Sequence, residues 1–256
     1  MLLNASPDLR AQILATPQLQ PRAAERGGLR NTPIRAVILT NGDVDHVAGL
    51  LTMREGQPFT IWMTAEIAAV LDRNPIFEVL DRSKVARRVV ALDESFEPVE
   101  GLAVRLFPVP GKVPLWLEGD VDGGVVETDR MGEQTAGVEL TRGASTAYYI
   151  PGCARMVPEL ADRLRGAGLV FFDGTVFYDD EMIRAGVGQK TGRRMGHMAM
   201  GGPDGSLPAF AGLEVGRKIY VHINNTNPVW LPGSPERREV EAAGWEVAHD
   251  GMEIVL

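Results

Sequence analysis

Ile34-Arg-Ala-Val-Ile-Leu-Thr-Asn-Gly-Asp-Val-Asp-His-Val-Ala-Gly-Leu-Leu51 is the stretch on which the reading of this chain turns. It opens as an apolar, β-branched run from Ile34 to Leu39, the pattern of a buried strand. The run breaks at Asn41-Gly42, where the backbone turns easily. Asp43, Asp45 and His46 follow, and apolar spacing at Val47, Leu50 and Leu51 then predicts a helix. Open α/β sheets place their sites at the carboxyl ends of strands. A carboxylate beside an imidazole is a pair that a metal uses. The plainer reading is a helix N-terminus, with aspartate as cap and first-turn acid. Both readings stand on this stretch alone.

At 256 residues the chain can bury a core as one large domain or two small ones. Hydrophobic residues make up 45% and charged residues 23%, as in ordinary globular proteins, and no apolar run reaches the length of a membrane span. The net charge of −8 argues against a general nucleic-acid binder, which shows a basic face. Cys153 is the single cysteine, so no internal disulfide is available and a cytoplasmic setting fits. Met1-Leu-Leu-Asn-Ala-Ser6 lacks the basic start and long apolar region of a signal peptide. It reads as a strand already under way, so further residues upstream are expected.

Outward from the central stretch, strands and helices alternate, with added antiparallel pairs. Leu2-Leu3-Asn4 reads as a strand end, and Ser6-Pro7-Asp8 as the cap and first turn of a helix over 7–14. Residues 16–33, with Gly27-Gly28, read as a loop. A strand is expected from Phe59 to Met63, and a helix from Ala65 to Asp72 capped by Thr64. Further strands are expected at 85–92, 102–109, 136–140, 144–150, 169–172 and 218–223. Helices are expected at 157–164 and 235–243, the second capped by Ser234 and stopped by Gly244. Two short strands, 245–248 and 252–256, would close the chain around His249-Asp250-Gly251. Residues 119–132 read as an acidic hairpin tip or loop, and residues 179–205 as a polar, Gly-rich loop. With no repeat and no dividing linker, residues 1–256 are expected to form a single α/β domain with mixed sheets.

The chain has four histidines: His46, His197, His222 and His249. Three stand at or just after an apolar strand, and His197 stands in a Gly-rich loop. Each alone reads as a structural or surface histidine, and His-Asp-Gly at 249–251 is also an ordinary hairpin turn. Together with Asp45 and Asp173 at strand ends, they point to one convergent site. Asn224-Asn-Thr-Asn227 directly follows the strand of His222, where amides fix an imidazole, bind substrate or simply turn the chain before Pro228. Asp173 either caps a helix or pairs with a histidine as an acid–base couple. No phosphate-loop pattern is present.

Thr40-Asn-Gly-Asp-Val-Asp-His46 resembles the metallo-β-lactamase superfamily motif His-x-His-x-Asp-His, with Asn41 and Asp43 in place of the first two histidines. Leu2-Leu-Asn-Ala-Ser-Pro-Asp-Leu-Arg10, Phe171-Phe-Asp-Gly-Thr175, Met195-Gly-His-Met198 and His222-Ile-Asn-Asn-Thr-Asn-Pro228 resemble, over the whole chain, the B proteins of coenzyme PQQ synthesis. Members of that family usually begin with a further segment bearing a Cys-rich, zinc-type cluster, which this sequence does not carry.

The resemblance implies a metallo-β-lactamase-like αββα four-layer sandwich with two mixed sheets and a site at the edge between them. In the superfamily a dinuclear site has two halves. One half is lost here: Asn41 is a poor ligand, no histidine stands near Pro110-Gly111, and the bridging aspartate expected near Gly152 is missing. The other half survives as Asp45, His46 and His222, with Asp43 as an extra ligand or a hydrogen-bond acceptor beside them. Two histidines and a carboxylate with open positions are the ligand pattern of non-haem iron oxygenases. One metal is therefore expected, Fe(II) first and Zn(II) as the alternative. Asp173 and His197 fall where ribonuclease Z-like relatives hold a carboxylate–histidine pair, which implies an acid–base or substrate-orienting role. Asn225, Asn227 and His249 are expected to touch substrate.

The family acts in the pathway that makes pyrroloquinoline quinone (PQQ) from the cross-linked Glu and Tyr of a peptide. The implied function is hydroxylation of the tyrosine ring of that Glu–Tyr precursor, with O2 as co-substrate. A carrier that helps PQQ or its precursor reach the periplasm and a residual metallo-hydrolase stay open as alternatives. Neither nucleic acid nor membrane is an expected partner, and a homodimer is left open.

Overall fold

Four parallel strands, β1 (Leu2–Leu3), β2 (Ala36–Ile38), β3 (Phe59–Met63) and β4 (Val85–Val89), lie in sequence order as the first sheet of the computed structural model. The model describes residues 1–21, 31–120 and 127–255. Gly27-Gly28, the middle of the acidic segment and Leu256 lie outside the described residues. The second sheet has seven strands in the order β11-β10-β9-β8-β7-β6-β5. These are β5 (Ser95–Val99), β6 (Leu102–Pro108), β7 (Ala136–Arg142), β8 (Ser145–Ile150), β9 (Leu169–Asp173), β10 (Arg217–Val221) and β11 (Trp245–Val247). From β8 to β11 neighbours run parallel, and from β5 to β8 antiparallel. The expected mixed character thus belongs to the second sheet, and the first is parallel throughout its described strands. Parallel neighbours need long crossovers. Helices α1 (Leu9–Ala15), α2 (Val44–Val47) and α3 (Ala65–Asp72) lie in the connections of the first sheet.

The four layers follow from the strand period of two. On β2, Val37 and Leu39 face one way and pack with Leu9, Ile67 and Leu71 of the helices. Ile38 faces the other way and meets Val104, Leu106, Ala136 and Val138 of the second sheet. On β9, Val170 and Phe172 pack under Leu160 and Leu164 of α4 (Pro158–Leu164), whereas Leu169 faces Ala147 and Ile219. Fully burying one such aliphatic or aromatic side chain stabilises the fold by about 1.5–3 kcal/mol relative to leaving it exposed. Among the described residues no helix is long and apolar enough to cross a membrane.

Close approach of backbones fixes the central turn against β1. Gly49 N–H donates to Ala5 O at 2.8 Å, and Ala5 N–H donates to His46 O at 2.7 Å. A Cβ on Gly49 would lie 2.1 Å from Ser6 O, so only glycine fits there.

Several boundaries differ from the sequence reading. The helix after Asp8 starts at Leu9, and Ser6 makes no cap: its Oγ is buried without a partner. β5 escaped notice because Pro98 interrupts it, which an edge strand with a register shift between Phe96 and Val99 tolerates. Among the described residues 252–255 the expected closing strand does not form. Met252 and Ile254 instead lay their side chains on Ala147, Leu169 and Ile219, covering the sheet face without extending it. The Gly-rich loop at 179–205 contains two short helices, α5 (Glu181–Arg184) and α6 (Gly192–Met195); α7 (Ser206–Ala209) follows it, and α8 (Pro235–Ala242) comes later.

Candidate metal centre

Three strand ends meet at the site. β2 runs into the turn of Asn41 to Asp43 and then into α2, which carries Asp45 and His46. β9 ends on Asp173, and β10 ends at Val221, level with Asp173, so His222 stands just beyond it. The ligand atoms of Asp45, His46 and His222 all lie within 4.8 Å of one another. Asp173, His197 and His222 form a second grouping of the same span, and the two share His222. The three imidazoles stack with His222 in the middle, its ring centroid 5.0 Å from His46 and 5.3 Å from His197.

His222 Nε2 lies 2.8 Å from Asp45 Oδ2, and its Nδ1 lies 2.8 Å from Thr175 Oγ1. The residue adopts a φ of 56°, in the left-handed region that a non-glycine side chain disfavours. Strain of this kind persists where surrounding bonds over-determine it. Here Gly174 N–H donates to Val221 O at 2.8 Å, and Asn224 N–H donates to Thr175 O at 3.1 Å.

Thr175 is the hub that sequence reasoning passed over. Its Oγ1 lies 2.6 Å from Asp173 Oδ1, 2.8 Å from His222 Nδ1 and 3.0 Å from His197 Nδ1. A hydroxyl has one proton to give. Donated along the shortest contact, to Asp173, it leaves the oxygen to accept from His222 Nδ1–H, so Nε2, which faces Asp45, is the nitrogen that would give up its proton to a metal. This tautomer follows from the hydrogen-bond network. Asp173 also accepts from Cys153 N–H at 2.9 Å and holds His197 Nδ1 at 2.7 Å. The only sequence signal was a small hydroxyl two residues past a strand-end aspartate, which is indistinguishable from a turn.

The electrostatics agree with a cation site. Desolvation opposes the charge on Asp45, yet the hydrogen bond from His222 and the nearness of His46 outweigh it and hold the carboxyl far below its usual range. Burial likewise opposes the charge on Asp173, and His197, His222 and Thr175 overcome it. Burial pushes the His46 pKa down, towards the neutral imidazole that binds metals. Burial also lowers that of His222, but Asp45 and Asp173 more than reverse it. His46 Nδ1 is buried without a hydrogen-bond partner, although Asp45 Oδ1 stands 3.3 Å away. An orphaned ring nitrogen, a second imidazole and a shared carboxylate make a donor set that fits one divalent transition metal.

Other expected site residues stand elsewhere. Asp43 lies at the N-terminus of α2 without capping it, and its Oδ1 accepts from Leu115 N–H at 2.8 Å. It belongs to neither grouping. Asn41 Oδ1 accepts from Asp43 N–H at 3.0 Å, which makes the turn. Asn227 is buried, donates to Gly174 O at 2.9 Å and accepts from Val229 N–H, so it shapes the loop beneath His222. Asn225 is exposed in that loop. His249 follows β11 at the same edge of the sheet, one strand further out, with Nδ1 3.1 Å from Asp250 O. Cys153 is buried and its thiol is pushed up beyond the usual range by burial, which suits packing and not nucleophilic attack.

Comparison with known proteins agrees with this architecture. Residues 1–223 match the family model of the beta-lactamase superfamily domain. The chain is 55% identical over 256 residues to the coenzyme PQQ synthesis protein B of Methylobacterium radiotolerans and 57% identical to that of Methylobacterium nodulans, covering all of this chain and 83% of each relative. The crystal structure of Zn2+-bound PqqB from Methylobacterium extorquens superposes with a TM-score of 0.94 at 55% identity, over 100% of this chain and 83% of that one. With its histidines and aspartates gathered at strand ends and its match along the full chain, this protein belongs to the coenzyme PQQ synthesis protein B family of the β-lactamase superfamily.

Proposed function

We propose that the chain acts in PQQ biosynthesis as a metal-dependent oxygenase that hydroxylates the tyrosine ring of the cross-linked Glu–Tyr precursor. The observation that carries this reading is the donor set of Asp45, His46 and His222, beside Asn41, Pro110-Gly111 and Gly152, where the superfamily resemblance would place ligands of a second metal. Hydrolytic metal pairs need both halves. Two imidazoles and one carboxylate leave coordination positions open, as iron(II) oxygenases do. The M. extorquens relative is Zn2+-bound in its crystal structure, which supports a divalent metal for a protein of this family.

Asp45, His46 and His222 would hold the metal, and bound iron(II) supplies the redox chemistry for activating dioxygen. The ring C–H becomes C–OH, and one oxygen atom of O2 enters the ring. The other leaves as water, with two protons and two electrons from an external reductant. His197 gives its Nδ1–H to Asp173 and so presents Nε2 as the base that takes the phenol proton. Asp173, buried and ionised, orients that ring and offsets the imidazolium charge as it forms. Thr175 keeps His222 in its ligating tautomer.

The test is turnover of a Glu–Tyr substrate by the iron-loaded protein under 18O2. One labelled oxygen per product is expected. Unlabelled substrate returned by protein that binds both iron and substrate would sink the proposal.

A further inference from the structure

Beside the metal cluster, three cations converge on one carboxylate. Glu118 Oε2 accepts from Arg194 Nη2 at 2.9 Å and from Lys190 Nζ at 3.0 Å, and Arg194 Nη1 reaches Oε1 at 3.3 Å. Lys112 Nζ stands 3.3 Å from Glu118 Oε1 and 4.0 Å from Asp43 Oδ2, with its side chain only 9% exposed. The cluster adjoins both site loops. Lys112 packs on Gly196, the residue before His197: a Cβ there would lie 3.1 Å from Lys112 Cγ. Asp43 leads into the turn of Asp45.

Burying a lysine is costly unless it is well paired. Among the described residues, two carboxylates meet three cations here, and Asp43 is already engaged by Leu115 N–H. The forked contact of Arg194 is the geometry in which guanidinium reads a carboxylate. Next to this basic group the surface turns apolar. Val44, Leu115 and Trp116 are 59%, 58% and 38% exposed, and Trp116 is anchored by Nε1–H to Gly42 O. A basic cluster that borders an exposed indole and aliphatics matches the charge and the flat face of an aromatic ring bearing carboxylates.

We infer that Lys112, Lys190 and Arg194 form the carboxylate-binding subsite of this protein, with Glu118 as a resident stand-in that an aromatic polycarboxylate displaces. The ring of that ligand lies over Leu115 and Trp116. The inference rests on the proposed reaction for the ligand's place beside the metal. The anion site itself is tested separately.

The probe is PQQ, an aromatic tricarboxylate, titrated into the full chain by calorimetry, with metal content measured in every variant. Lys190 and Arg194 are 38% and 39% exposed, so their truncation spares the core. Arg194→Ala and Lys190→Ala are expected to raise Kd about tenfold each with metal content unchanged, as loss of a charge-assisted bond predicts. Glu118→Gln removes the competitor and is expected to tighten binding about threefold or more. Weaker or unchanged binding by folded Glu118→Gln, or an unchanged Kd in Arg194→Ala, overturns the subsite. So does failure of the wild-type chain to bind PQQ. These Kd shifts in a protein that incorporates no oxygen keep the subsite and remove the oxygenase reading. Oxygen incorporation with unshifted Kd does the reverse.

Discussion

Two halves of one turn face each other across Val44. On one side stand Asn41 and Asp43, where the superfamily motif has histidines. On the other stand Asp45 and His46, which belong to the metal cluster. Asn41 accepts from the backbone of Asp43, and Asp43 accepts from Leu115, so both side chains serve the backbone. Asp45 and His46 turn to His222 and make contacts that a metal can use. Gly152 faces the His197 ring, where a Cβ would sit 3.5 Å from Cε1. At Gly111 a Cβ would lie 2.3 Å from Thr135 Oγ1, which leaves no room for a histidine without repacking. The depleted half is thus rebuilt as scaffold for the surviving half.

The largest effect that sharpens this contrast comes from removing a ligand of the surviving half. His222→Ala or Asp45→Ala is expected to lower metal affinity more than about 100-fold and to abolish oxygen incorporation, measured by metal analysis and mass spectrometry. Stoichiometric metal in either variant would break the assignment. Next comes Thr175, which touches His222 without ligating. Thr175→Val is expected to cost about 10–100-fold in metal affinity, as loss of a bond behind a ligating histidine does, with Thr175→Ser restoring most of it. Equal loss in both variants would mean that packing, and not the hydroxyl, matters.

On the depleted side the expected outcome is opposite in kind. Asp43→Ala should leave metal content unchanged and destabilise the fold by about 1–2 kcal/mol through the freed Leu115 N–H, read by denaturant titration. Loss of metal with unchanged stability would return Asp43 to the ligand set. The smallest effect concerns Glu118. Burial opposes its charge, but Arg194, Lys190 and Lys112 lower its pKa from 4.5 to about 2. A carboxylate with a depressed folded pKa stabilises the fold fully above its unfolded value. That contribution fades as pH falls from about 4.5 through about 2. The stability gap between wild type and Glu118→Gln should narrow over this window, and a constant gap would contradict the pairing.

How much of this was legible in the sequence varies with the physics that sets each part. Phe59–Met63 and Ala65–Asp72 form as their alternation and the Thr64 cap predict, and Thr64 Oγ1 does accept from Ile67 N–H. Asp45, His46, Asp173 and His222 were visible because polar residues after apolar strands stand out, and His197 because it is one of only four histidines. Thr175 was not, since a threonine in a strand-end turn carries no signal until the fold brings two imidazoles to it, His197 from a loop and His222 from the end of β10. Asn227 and Asp43 looked like site residues for the opposite reason. Asn227 satisfies a backbone N–H two residues on and Asp43 one far along the chain at Leu115, demands that a sequence does not separate from ligand binding. The closing strand failed because alternation also suits a segment that packs flat on a sheet face, as Met252 and Ile254 do.

The most direct test of the central claim is metal stoichiometry in the chain reconstituted anaerobically with iron(II), followed by product analysis under 18O2 with a Glu–Tyr substrate. One iron per chain and one labelled oxygen in the product are the results that the surviving half-site predicts. Two metals per chain, or substrate cleaved with no oxygen incorporated, would contradict it.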